Sequence, residues 1–412
     1  MNATTPIAEL DSGAAWRRLA AAVALAAIGG VGLWSSIVVL PTVEAEFGVD
    51  RGGASIPYTA TMVAFAIGGA LMGRLVDRFG IMVPLMFGSV MLGIGYVVAA
   101  NMDSYWGFVF VHAVLIGGLG ASCTFAPLVA DISHWFVRRR GIAVAIVASG
   151  NYLSGTIWPL ILQPAIESIG WRQSFIGIGV FVVITMVPIA LLMRRKAPVD
   201  HGVPATNGAH AAVARMPAPP AVLQGLLVLA GVACCVAMSM PQVHMVAYCG
   251  DLGYGPARGA QMLSLMLGFG IVSRLASGAI ADKIGGVGTL ILGSTLQCLA
   301  LLLYLPFDSL VSLYVISALF GLSQGGIVPS YALIVRQYFP AREAGGRIGL
   351  VLMATVIGMA IGGWMSGEIY DLTGSYQAAF LNGIAWNLLN MSIAFWLLIG
   401  RMRPRPGAAL AV

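Results

Sequence analysis

Gly73-Arg74-Leu75-Val76-Asp77-Arg78-Phe79-Gly80 returns 205 positions later as Gly278-Ala279-Ile280-Ala281-Asp282-Lys283-Ile284-Gly285. Both octets run glycine, aliphatic, acid, base, glycine, and both sit between long apolar runs. A second pair keeps almost the same interval: Gly118-Leu119 through Trp135-Phe136 recurs as Gly321-Leu322 through Tyr338-Phe339, at an offset of 203. Each offset is close to half of the 412-residue chain, so the sequence reads as an internal duplication.

Working outward from the octets, apolar stretches fall near 19–41, 55–73, 81–100, 105–132, 141–163, 174–193, 222–248, 258–281, 288–306, 309–335, 346–369 and 377–400. A membrane-crossing helix takes roughly 20 apolar residues, so these predict twelve spans. Composition agrees: 59% of residues are hydrophobic and only 9% charged, against about 25% charged in soluble domains. That excludes a soluble enzyme or nucleic-acid binder. The first stretch is too long for the core of a signal peptide and is read as a span. The polar segment 194–221, rich in proline and alanine, predicts a linker between six-helix bundles at 1–193 and 222–412.

Twelve is even, so both ends of the chain are expected on one side. Of the 22 lysines and arginines, eighteen fall in loops and tails on that side, three (Arg51, Arg172, Arg258) on the other, and Arg274 inside a span. The positive-inside rule then predicts cytoplasmic termini in a plasma membrane. The net charge of +6 is a mark of topology and calls for no nucleic-acid partner. The five cysteines lie in apolar runs without CxxC or metal spacing and read as reduced packing residues. No lysine follows a glycine-rich turn, so ATP-driven pumping has no support, and no cofactor or metal is expected. Gly69/Gly73, Gly321/Gly325 and Gly358/Gly362 place small residues on one helix face for close packing.

The octet at 73–80, between spans two and three, resembles the signature loop of the major facilitator superfamily, and its echo sits where that family repeats it. The resemblance implies an all-α fold of twelve transmembrane helices in two pseudo-symmetric six-helix bundles. Gly73, Asp77, Arg78, Gly80, Asp282 and Lys283 would act as a conformational switch, with Asp77 resting against a neighbouring helix N-terminus and weakening as that helix moves. A narrower resemblance, to the bacterial branch of the monocarboxylate transporter family, rests on three patches. These are Trp135-Phe136-Val137-Arg138-Arg139-Arg140-Gly141, echoed by Tyr338-Phe339 through Arg342; Val243-His244-Met245-Val246-Ala247-Tyr248 with Asp251-Leu252-Gly253; and Ser273-Arg274-Leu275-Ala276-Ser277-Gly278. It adds Arg138 and Arg139 to the switch, implies that Arg274 binds a substrate carboxylate, and implies a bacterial inner membrane.

Two departures matter. Mammalian members carry an aspartate one turn before the arginine, where Gly270 stands here, and a first-span lysine, whose nearest counterpart is Ser36. Related oxalate/formate exchangers are expected to use a second basic residue in span eleven; residues 348–369 hold none in their interior, which favours a monoanion.

The residues themselves support the same chemistry. Arg274 lies about seven residues from the end of span eight, hence roughly 10 Å deep at ~1.5 Å per residue. A guanidinium at depth costs at least about 2.5–3.5 kcal/mol, so it is expected to face a cavity or a partner. Asp131, Glu368 and Asp371 all sit near span ends, so no carboxylate neutralises it at its own depth. Its planar fork suits a carboxylate; the plain alternative is pairing with helix-end carbonyls or snorkelling. His244 is a candidate proton carrier or ligand donor, or a gate residue; His112 reads as structural. Trp34, Tyr58, Ser122, Asn151, Tyr152, Gln324 and Tyr331 are the polar and aromatic residues expected to line the cavity; Tyr331, aligned near the depth of Arg274 in span ten, ranks second to it, and Asn151 and Tyr152, mid-span five, follow.

The expectation is therefore a monomeric, alternating-access carrier of lactate- or pyruvate-like monocarboxylates, coupled to protons. An anion exchanger of the oxalate/formate type and a multidrug or neutral-solute carrier are the alternatives within the superfamily. A membrane enzyme or receptor is disfavoured by the lack of paired intramembrane catalytic residues and of a sensor domain.

Overall fold

A computed structural model describes residues 10–195 and 218–402, so most of the expected linker lies outside the described residues. Every regular element among the described residues is helical. The membrane-length helices are α1 Gly13–Val38, α2 Arg51–Phe79, α3 Met82–Ala100, α4 Tyr105–Trp135, α5 Arg140–Ile169, α6 Trp171–Leu192 and α7 Pro220–Asp251, then a 48-residue helix Pro256–Leu303, α10 Leu310–Tyr338, α11 Glu343–Thr373 and α12 Tyr376–Met402. The 48-residue helix breaks at Gly285 (φ 76°, ψ 171°) into α8 (256–284) and α9 (286–303), giving twelve spans.

That break is the second octet, and the first makes the same turn: Gly80, after α2, has φ 79° and ψ 166°. A side chain would be strained at either position, which is why glycine ends both octets. Short polar caps start other helices. Ser12 Oγ accepts the amides of Ala14 and Ala15, Asp50 Oδ1 that of Gly53, and Ser104 and Ser309 cap α4 and α10. Polar capping residues extend the helices beyond the apolar runs, so α1 and α2 begin six and four residues earlier than hydropathy placed them.

The buried side chains form two cores. One is built from α1–α6, the other from α7–α12. Val243, Val246, Ala247, Ala260, Leu263, Leu267 and Ala360 of the second half join the first core. Except for Ala360, near the middle of α11, they sit in the halves of α7 and α8 remote from the face where the described chain begins and ends. We call that remote end the far face and the other the terminal face. Glycines allow the closest approaches. A Cβ on Gly363 would fall 2.9 Å from the Tyr58 ring, and one on Gly367 2.8 Å from the Arg51 carbonyl.

The three small-residue pairs behave differently. Gly358 and Gly362 lie against the backbone of α7, and Gly321 and Gly325 against that of α8. A Cβ on Gly69 or Gly73 would meet nothing within 4 Å; the close contact on α2 is instead Gly68, whose Cβ would fall 2.1 Å from the Gly118 carbonyl. The reason is local: Gly118 lies in a π-helical stretch of α4, His112–Gly120, whose extra residue per turn swings that carbonyl toward α2. All five cysteines are buried and unpaired by disulfides.

Candidate functional site

Arg274 projects from mid-α8 at the seam between the bundles. Its Nη1 donates to the Ala148 carbonyl of α5 at 2.7 Å, beside the discontinuity at Ser149, and its Cζ stands 4.2 Å from the centre of the Tyr152 ring, also on α5. Its Nε is buried and meets no acceptor. Among the described residues no carboxylate pairs with it. One arm of the guanidinium thus rests on a helix carbonyl, as the plainer sequence reading allowed, and a positive charge with an unused N–H remains in the seam.

Ser273 and two glycines fix its neighbours. Ser273 Oγ donates to the Leu322 carbonyl (2.6 Å) and accepts the Gly325 amide (3.1 Å), and a Cβ on Gly325 would lie 2.3 Å from the Arg274 backbone nitrogen. These contacts press α10 onto α8 at Arg274, with Gln324 one residue before Gly325. Gly270, one turn away, faces Gln324 Nε2 and the Tyr152 ring at 3.2 and 3.5 Å from where its Cβ would stand. Its lack of a side chain lets Tyr152 and Gln324 meet there. Arg274, Tyr152 and Gln324 are the sequence-predicted residues that the fold brings together.

Others go elsewhere. The Trp34 indole donates to the Asn151 carbonyl (3.1 Å) and Oδ1 (3.3 Å), so these two residues tie α1 to α5 near Tyr152. Ser122 Oγ bonds the Gly118 carbonyl within the first bundle (2.6 Å). Tyr331, expected near the depth of Arg274, is fully buried in the second core, where its hydroxyl donates to Asn390 Oδ1 at 2.8 Å and Asn390 in turn donates to Ser294 Oγ. His112 is buried against Phe108 and Phe175; its Nδ1 bonds the Phe108 carbonyl and its buried Nε2 meets no partner among the described residues.

His244 is not at Arg274 either. Its Nε2 meets the Gly363 carbonyl at 2.7 Å and its Nδ1 the Tyr376 hydroxyl at 3.4 Å, toward the far face, where Tyr58 also packs on Gly363. There it borders a cluster that local spacing did not reveal. Arg51 pairs with Asp251 (3.0 Å) and Glu44 (2.8 Å), donates to the Tyr376 hydroxyl (2.6 Å) and stands over the Tyr370 ring (4.8 Å). The Arg51 and Gly52 amides bond Asp371 at 3.0 and 2.6 Å. Burial pushes the Glu44 carboxyl above its ordinary pKa, with Arg51 opposing the rise. This latch joins α2 to α7, α11 and α12 across the bundles. The available signal was that Glu44, Arg51, Asp251 and Asp371 all fall at same-side span ends.

The contacts joining the bundles therefore run from this latch, through Thr59 Oγ1 to the Ala360 carbonyl, down to Arg274. On the terminal side the switch residues stand apart. Asp77, Arg78, Asp282 and Lys283 are exposed, and neither Asp77 nor Asp282 holds a hydrogen bond or ion pair among the described residues. The expected docking of Asp77 on a helix N-terminus is not made in this arrangement. The amides of Val137, Arg138 and Arg139 instead bind the Asp11 carboxylate at 3.0–3.3 Å. Desolvation would raise the Asp11 pKa, but these three donors outweigh it and hold it below the ordinary value. Arg18 and Asp131, both buried, form a two-armed pair at 2.7 and 2.8 Å under the Trp135 ring. No group of metal-ligating side chains occurs among the described residues.

Comparison with known proteins fits this geometry. A family model described as Major Facilitator Superfamily matches residues 22–310 and 287–411. A relative from Ophiocordyceps sp., "MFS-type transporter 1", is 26% identical over 72% of this chain and 65% of its own length. "Monocarboxylate transporter 13" of Bos taurus is 26% identical over 84% and 79%. Among solved structures, a bacterial homolog of the human lysosomal transporter Spinster, inward-facing and unoccupied, superposes with a TM-score of 0.72 at 12% identity, covering 95% of this chain and 97% of that one. That likeness bears on the fold alone. Two octets turning on equivalent glycines, twelve spans in two cores and a family match spanning both halves give one conclusion: the chain belongs to the Major Facilitator Superfamily, whose members are transporters and not enzymes.

Proposed function

We propose that the protein is a secondary active transporter of small monocarboxylates such as lactate or pyruvate, working by alternating access, with Arg274 as the residue that binds the carboxylate. The observation that carries this reading is the guanidinium itself: mid-span, at the seam, without an acidic partner, and with a buried N–H that lacks an acceptor. A carboxylate entering there takes two parallel charge-assisted hydrogen bonds and neutralises the arginine, which lowers the cost of closing the seam around it. Arg274 belongs to the second bundle and its partners Ala148 and Tyr152 to the first, so a ligand at this point is gripped from both sides. The kinship with monocarboxylate transporter 13 supports the same substrate class.

A co-transported proton would make the cycle electroneutral. His244 sits with the far-face latch and not beside Arg274, so on this reading its titration acts on opening of the far end, and it is no ligand donor. The arginine and lysine distribution supports termini on the cytoplasmic side of the plasma membrane, which makes the arrangement inward-facing.

Arg274→Ala should reduce uptake of labelled lactate or pyruvate into proteoliposomes by about 10- to 100-fold, the effect of losing a hydrogen-bonded charge. Undiminished uptake in a correctly inserted protein overturns the assignment.

A further inference from the structure

The seam holds a second polar device. Gln242 of α7 and Gln324 of α10 are 1% and 0% exposed, and Gln242 Nε2 donates to Gln324 Oε1. That bond fixes which way the Gln324 amide points: with its oxygen engaged, its Nε2 is turned toward Gly270 and the Tyr152 ring. There it is buried and meets no acceptor. Buried amide donors are nearly always satisfied, so one left open against Gly270, one turn from Arg274 and its own open Nε, is a place for a ligand atom.

Gln242, Gln324, Gly270 and Arg274 all belong to the second bundle, and Ser273 ties α10 to α8 on either side of Gln324. Rocking of the bundles moves Tyr152 away from them as a group and leaves their mutual placement intact. The two donors differ in kind: one is charged and suits a carboxylate, the other neutral and suits an uncharged oxygen.

We infer that Gln324 is the site's second donor, binding a neutral acceptor oxygen next to the carboxylate, and that Gln242 is its positioning residue. This rests on the assignment of Arg274 to the carboxylate. Tyr152 covers the amide at Gly270 in this arrangement, and its withdrawal with the first bundle opens the path by which the acceptor oxygen reaches it. The site accordingly favours acids bearing a carbonyl or hydroxyl oxygen beside the carboxylate over plain alkyl acids of equal length.

The test is calorimetric binding of pyruvate and of propionate to the purified full-length carrier. The wild-type protein should bind pyruvate about tenfold more tightly, the worth of one hydrogen bond. Gln324→Leu should remove that preference by weakening pyruvate and leaving propionate unchanged. Gln242→Leu should do the same without touching the ligand. A wild-type protein with no preference, or variants that weaken both acids equally, would overturn the inference. Arg274→Ala separates it from its premise. If that variant still binds both acids, the carboxylate assignment fails. If it binds neither while Gln324→Leu keeps the preference, only the role of Gln324 and Gln242 fails.

Discussion

At the scale of single residues, legibility depended on whether a residue's anomaly was local. Arg274 could be found from sequence because a lone arginine inside an apolar run is unusual whatever surrounds it. Its neighbours could not be ranked in the same way. Tyr331 and Gln324 lie seven positions apart on α10 and so share a face, yet the first bonds Asn390 of α12 and the second Gln242 of α7; those partners are set by packing and no spacing announces them. Arg18 reads as one more terminal-side positive charge until the fold sets it on Asp131, 113 positions away. Breaking such a buried pair strands a charge and is costly, whichever partner is removed. Asp11 was invisible for a similar reason, since its partners are backbone amides. Its lowered pKa means that the folded state binds its proton less tightly than the unfolded chain does. The stabilisation is therefore present above the ordinary carboxylate range and is lost as pH falls through the lowered value. Asp11→Asn should melt slightly below wild type at neutral pH, and the difference should vanish in acid; a gap independent of pH would mean that the charge plays no part.

At the scale of helices, hydropathy gave the number and order of the spans, because burial in lipid constrains every residue of a span in the same way. It missed their ends, which capping residues extend, and it took Arg51 for a loop residue. Arg51 is the first residue of α2, held by the Asp50 cap, and its partners lie 200 and 320 positions away. No periodicity encodes such a pairing. It joins one bundle to the other, so weakening it should favour separation of the far ends. Asp251→Asn removes the charge while keeping the shape. Losing about 1–3 kcal/mol at this seam shifts a two-state balance by roughly 5- to 150-fold. Spin labels placed on the turns 48–50 and 252–255 should report a longer-distance population in the variant, and an unchanged distribution would show that the latch does not set the far-end equilibrium.

For the whole molecule, the duplication was readable because both octets need the same turn, and Gly80 and Gly285 supply it with nearly identical torsions. How the halves meet was not readable, since contacts between them obey no repeat. The hydrogen bond from Arg274 to the Ala148 carbonyl has a kinetic consequence. On the proposed role of Arg274, the empty carrier keeps its charge, because this carbonyl is neutral and belongs to the opposite bundle, so the bond breaks as the bundles rock. The unloaded protein then returns more slowly than the loaded one, whose arginine is neutralised by cargo. Loading the opposite compartment with unlabelled lactate should accelerate uptake of labelled lactate by about tenfold, a difference of ~1.4 kcal/mol in the return barrier. Acceleration of less than about twofold would mean that the empty seam closes as readily as the filled one. On this account swapping one solute for another outpaces net accumulation.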